Sequence, residues 1–264
     1  MIDTHCHLDV DAFAADRAAV LARAQAAGVR GLLVPAIRPR TWAALTALPA
    51  AHPDAPLALA LGVHPQVVPE LDGDERALID RLADAIAAAR TERVVAVGEC
   101  GLDGNAGERI LQGAVFTAHL EAARALGLPL VIHVIRAHEI VPALLSRARA
   151  HEVGGVIHSF SGSAELAKVY ADLGFACSFA GPVTWPRARK PKWAAAAVPA
   201  DRLLAETDCP DQSPEGWRGR RNEPASLPEV IAGLAQARGA DPQAIAALTA
   251  ANARRVFPAA ARFW

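Results

Sequence analysis

Residues 94–98 read VVAVG, and Glu99 follows at once. A short, near-continuous apolar run of this kind suits a parallel strand covered on both faces, not a half-exposed one with alternating polarity. Working outward, similar runs occur at 2–6, 29–35, 57–62, 130–133, 155–158, 175–179 and 202–206. Ala/Leu-rich stretches of helical period separate them. Helices are predicted at 14–27, 74–90, 109–126, 227–238 and 242–256, with Gly28 and Gly127 as stop signals. Eight strand–helix units in 264 residues predict one domain, residues 1–264, with a distorted (β/α)8 TIM barrel fold. A doubly wound sheet would call for a Gly-rich phosphate turn after an early strand, and neither G-x-G-x-x-G nor G-x-x-x-x-G-K-[ST] occurs. The Pro-rich stretch 182–199 reads as a loop plus a short helix.

Composition narrows the function. Hydrophobic residues make up 52% of the chain, which excludes intrinsic disorder. Lys+Arg number 27 against Asp+Glu 28, so a polyanion binder working by bulk charge is excluded. The cysteines, at 6, 100, 177 and 209, form no C-x-x-C pair. Cys6, Cys100 and Cys209 read as small apolar fillers between barrel and helices. No leader-like or membrane-spanning segment stands out, so a cytoplasmic location and no membrane partner are expected.

The chemistry begins at His5-Cys6-His7. Histidines two apart on a strand share a face, so both imidazoles can converge on one ion. Other ligand types fall just after strand-like runs: Glu99 after VVAVG, His133 after LPLVI, His158 after GGVI and Asp208 after RLLAET. In a barrel, that end of the strands builds the active site. Imidazole and carboxylate together suit Zn²⁺ or Mn²⁺, and Mg²⁺ where oxygen and water contribute more. Six ligands exceed the needs of one catalytic ion. The expected arrangement is two divalent ions, with His5, His7 and Asp208 on one, His133 and His158 on the other, and Glu99 between them. A mononuclear site with Glu99 or His158 outside the ligand set is the alternative. Two ions would clamp the attacking and leaving oxygens of a hydrolysis and acidify a shared water. No G-x-S-x-G elbow offers a serine nucleophile instead.

IDTHCHLD (2–9), GVHP (62–65), VGECGLD (97–103), LGLPLVIH (126–133), GVIHSFSGS (155–163), DRLLAETDCP (201–210), RGRRNEP (218–224) and NARRVF (252–257) occur in this order along nearly the whole chain. In this the chain resembles TatD-like metal-dependent hydrolases, within the amidohydrolase-type barrels. The resemblance implies that His5, His7, Glu99, His133, His158 and Asp208 are the metal ligands. It also implies phosphodiester hydrolysis, typically as a 3′→5′ DNA exonuclease on single-stranded or frayed 3′ ends. D-aminoacyl-tRNA deacylation, or another ester or amide hydrolysis, is the alternative. A non-catalytic metal-binding scaffold is a distant third, which the complete ligand set argues against.

The sequence departs from the family pattern in three places. Gly104-Asn105 replaces an aromatic pair after GLD. Ile135 stands two residues after His133 where family members often carry Arg, with Arg136 next. Arg220 replaces a Lys. Around the metals, His64 is expected to act in catalysis through a phosphate or leaving-group contact. Arg218, Arg220 and Arg136 are the phosphate-binding candidates. Trp185 and Trp217 lie near basic clusters (Arg187, Arg189, Lys190 and Lys192; Arg218, Arg220 and Arg221) and are candidates for stacking on unpaired bases. Asn222 and Glu223 are expected to hold the last loop. Asp208 is the candidate general base, and a monomer is expected.

Overall fold

The computed structural model describes residues 1–264. Eight parallel strands pair in chain order: β1 (Ile2–Asp3), β2 (Gly31–Pro35), β3 (Leu57–Leu61), β4 (Val94–Asp103), β5 (Leu130–Ile135), β6 (Gly155–Ile157), β7 (Phe175–Phe179) and β8 (Leu203–Ala205). The Thr4 N–H donates to the Ala205 carbonyl at 3.2 Å, which draws the first and last strands into a nearly closed barrel. Ten α-helices surround it: α1 (Arg17–Ala26), α2 (Trp42–Ala51), α3 (Gly73–Ile79), α4 (Leu82–Ala89), α5 (Arg109–Leu126), α6 (Val141–Arg147), α7 (Ala164–Asp172), α8 (Arg189–Ala197), α9 (Leu227–Arg238) and α10 (Pro242–Val256). None is long and apolar enough to cross a membrane.

Strand alternation divides the apolar residues between two cores. Leu32, Val34, Leu57 and Leu59 face the helices, in the large core that also holds Cys6, Cys100, Cys177 and Cys209. The cysteines are unpaired and buried, as fillers should be. Ile2, Leu33, Val95, Val131, Val156, Ala176 and Leu204 instead form a second core, capped by Phe257 and Ala260 just after α10. This second core fills the barrel axis at the N-terminal end of the strands.

Three elements differ from the sequence reading. The stretch 74–90 is two helices, because Arg81 leaves helical geometry (φ −131°, ψ 36°). α4 buries Leu82 and Ile86, whereas the one buried residue of α3 is Glu75. Glu75 takes a two-pronged ion pair from the buried Arg38, so a polar tie, not barrel packing, sets the direction of α3. β1 ends at Asp3, but residues 4–7 remain extended between their neighbours: Cys6 N–H donates to Leu33 and His7 N–H to Cys209. β4 is the longest strand and runs past Glu99 to Asp103, with its register against β5 shifting between Val97 and Cys100.

Candidate metal centre

The C-terminal ends of the strands carry the histidines. His133 and His158 follow Val131 and Val156 of the axial core by two residues, so the pleat aims them along the same axis at a higher level. Glu99 lies in the shifted stretch of β4. Bulges of this kind re-aim a side chain, and here Glu99 is fully buried at the centre of the cluster. Gly101 permits the geometry beside it. Its φ is +137°, and a Cβ there would lie 2.0 Å from the His133 carbonyl oxygen.

The two oxygens of Glu99 face different partners. Oε2 lies 3.0 Å from His5 Nε2 and 3.4 Å from His7 Nε2. Asp208 Oδ1 is 3.6 and 3.8 Å from the same two nitrogens. Oε1 lies 2.8 Å from His158 Nε2, 3.0 Å from His133 Nδ1 and 2.9 Å from His64 Nε2. The residues predicted from five separate stretches of sequence therefore meet around one carboxylate. All of them except the fully buried His5 line a cavity of about 570 Å³, together with Gln66, Asp103 and Gln212.

Three features fit a cation. First, ring nitrogens face each other at 3.1 Å in two pairs, His5–His7 and His133–His158. Lone pairs aimed at one point repel unless a proton or a metal ion lies between them. Two ligands each 2.0–2.2 Å from a tetrahedral ion sit about 3.3–3.6 Å apart, and the separations here bracket that range. Second, Glu99 Oε2 is buried without a hydrogen-bond partner. Third, two histidines have a carboxylate behind them, as metal-binding imidazoles usually do. Asp103 Oδ2 is 3.4 Å from His133 Nε2, and Glu206 Oε1 is 3.5 Å from His158 Nδ1.

The charges agree. Burial opposes ionisation of Glu99, but His64, His158 and His5 outweigh it and hold the carboxyl well below its usual range. Burial likewise opposes protonation of His7, yet Glu99 and Asp208 lift it to about 9. His158 and His133 are also raised against burial, by Glu99 together with Glu206 and Asp103 respectively. Burial and neighbouring histidines push His5 and His64 down. The cluster as a whole attracts positive charge that its members cannot all carry.

His64 has a fixed tautomer. Its Nδ1 accepts the Gln66 N–H at 3.1 Å, so Nε2 bears the proton and donates to Glu99. It both caps its turn and faces the cavity. Asp208 sits at φ +53°, with its Oδ2 accepting from the Gln212 amide.

Asp103, Glu206, Gln66 and Gln212 were missed in the sequence. The Gln66 amide donates to Asp103 Oδ2 at 2.8 Å, Asp103 and Glu206 stand behind His133 and His158, and Gln212 donates to Asp208. Glu206 was the one with a sequence signal, since it stands two residues before Asp208.

The rim residues are placed otherwise. Arg136 is exposed, and Ile135 lines the cavity instead. Arg218 packs 4.6 Å from the Trp185 ring centre, and Arg220 packs 3.9 Å from that of Trp217. Arg221 is engaged with Asp16 at 2.8 Å. Asn222 spans Thr207, Asp211 and Ser226, and Glu223 binds Arg23, so both hold the last loop.

Comparison with known proteins gives the family. Residues 2–258 match the family model described as TatD related DNase. The chain is 35% identical over 260 residues to the uncharacterized metal-dependent hydrolase YabD of Bacillus subtilis, covering 97% of this chain and 98% of the relative. It is also 35% identical over 269 residues to a protein of Rahnella sp. named 3′-5′ ssDNA/RNA exonuclease TatD, covering 99% and 100%. The crystal structure of YjjV, a TatD homolog from Escherichia coli K12, superposes with a TM-score of 0.87 at 32% identity over 98% of each chain. The chain belongs to the TatD-related family of metal-dependent hydrolases.

Proposed function

We propose that this hydrolase cleaves phosphodiester bonds in nucleic acid, most directly as a 3′→5′ exonuclease on single-stranded or frayed DNA ends. The observation that carries the reading is the division of Glu99 between two sets of ligands. His5, His7 and Asp208 would hold one divalent ion on the Oε2 side, and His133 and His158 a second on the Oε1 side. Mg²⁺, Mn²⁺ and Zn²⁺ all suit this donor set. When bound, such ions supply Lewis acidity and a water acidic enough to attack at neutral pH.

The chain's own residues supply the rest. Asp208 accepts the proton of the attacking water, with Gln212 holding its other oxygen in place. His64 carries its proton on Nε2, because its other nitrogen is committed to Gln66, and turns that N–H from Glu99 to the departing 3′ oxygen when substrate is bound. Arg218 and Arg220, exposed on the rim, meet neighbouring phosphates. A local basic rim on a chain of net charge −1 suits a short segment of strand rather than a long duplex. The exonuclease-named relatives, similar along their whole length, support the choice of substrate.

A time course on 3′-labelled and 5′-labelled single-stranded DNA tests this, with Mg²⁺, Mn²⁺ and Zn²⁺ supplied separately. Stepwise loss from the 3′ end in the wild type, absent in Asp208→Asn, is the expected result. No cleavage with any metal would overturn the nuclease reading and shift the substrate to another ester or amide.

A further inference from the structure

A second cavity of about 310 Å³ adjoins the metal centre. It shares Ile135 and Gln212 with the larger one, and Gln212 is the residue bonded to Asp208. We propose that this annex is the subsite for the base of the 3′-terminal nucleotide, the one that departs. The inference rests on the phosphodiester reading above.

Three observations carry it. The lining is aromatic: Phe160 and Phe179 are nearly buried behind it, and the partly exposed Trp185 offers the ring a base-stacking site requires. Trp185 is held in place, since its indole N–H donates to the Ser213 carbonyl at 3.0 Å and Arg218 packs on its ring. A preset ring surrenders little entropy when a base stacks on it. The polar groups are few and placed, as in small-molecule sites. The Ser161 hydroxyl is fixed by His138 Nε2 at 3.3 Å, and His138 in turn by the Tyr170 hydroxyl at 3.0 Å. Lys190 stands at the mouth with a positive charge for the strand. The volume lies at the low end of ligand sites, about 300–1,000 Å³. It has room for one base and not for a stack of them. A one-base pocket beside the residue that holds Asp208 fits the end of a strand.

The test uses oligonucleotides that end in a normal 3′ nucleotide or in an abasic one. Binding is read by fluorescence anisotropy with the protein in EDTA, and kcat/KM is read with metal present. The wild type is expected to favour the base-bearing end by roughly tenfold or more. Ala188→Leu narrows the annex, Trp185→Ala removes a wall, and each should bring the ratio toward one. Equal binding and equal cleavage of both ends by the wild type would overturn the proposal, as would full preference in both variants. A preference seen in binding and lost in Ala188→Leu, with no cleavage under any metal, would keep the subsite and refute the nuclease reading.

Discussion

The two ends of the barrel axis are built from the same strands, two residues apart, and could hardly differ more. At the N-terminal end Val131, Val156 and Leu204 pack under Phe257 in a core of apolar side chains, with the Trp264 indole N–H the one unpartnered polar group at its edge. Two residues on, His133, His158 and Glu206 are just as enclosed, yet several of their polar atoms lack partners. The lower layer holds the fold by excluding water. The upper layer buries the unpartnered Glu99 Oε2 among imidazoles, which no stability argument favours, and so keeps it free for a cation. One end is optimised for packing and the other for binding.

If this division is right, the largest effect belongs to the upper layer and touches activity alone. Asp208→Asn should lower kcat by about 10⁴-fold, the upper end for a positioned base, while urea unfolding stays close to wild type. Phe257→Ala should do the reverse. It empties the cap of the lower core and should destabilise the protein by about 3–5 kcal/mol, with kcat per folded molecule little changed. Unfolding that is equally sensitive to both substitutions would erase the comparison.

Metal addition is next in size. At a concentration one hundred times its Kd, Mn²⁺ should stabilise the wild type by about 2.7 kcal/mol per site, measured by thermal unfolding. Glu99→Gln should abolish that response.

A smaller effect comes from His119 of α5, which is buried and neutral. Its Nε2 accepts the Val63 N–H at 2.9 Å, and burial pushes it down to about 4. Its folded value lies below its unfolded one, so its contribution is complete above about pH 6.5. That contribution falls by about 1.4 kcal/mol per pH unit as pH drops toward 4. Urea titrations at pH 7 and pH 5 should show this slope, and His119→Gln should flatten it. The smallest effect is at the rim. Arg220→Ala should weaken DNA binding a few-fold and reduce the log–log salt slope by about 0.7.

Most of this was legible in the sequence where the signal is local. Continuous apolar runs marked the strands, and the histidines and carboxylates at the ends of five of them marked the candidate site. The signal failed where a contact joins distant residues. Nothing near 74–90 announces that Glu75 will be claimed by Arg38, so the split into α3 and α4 could not be read. β4 appeared to end at Gly98 because Glu99-Cys100-Gly101 breaks the apolar run, although the strand continues through it. Asp103 and Gln212 act by holding His133 and Asp208, and such support depends on tertiary proximity. The pairing of Arg218 with Trp185 is of the same kind.

In the proposed mechanism Glu99 divides the cluster into two cation sites. Anomalous diffraction from crystals soaked in Mn²⁺ tests it most directly. Two peaks are expected, one between Glu99, His5, His7 and Asp208, the other between Glu99, His133 and His158. A single peak that leaves Glu99 uncoordinated, or ions bound away from the histidines, would contradict it.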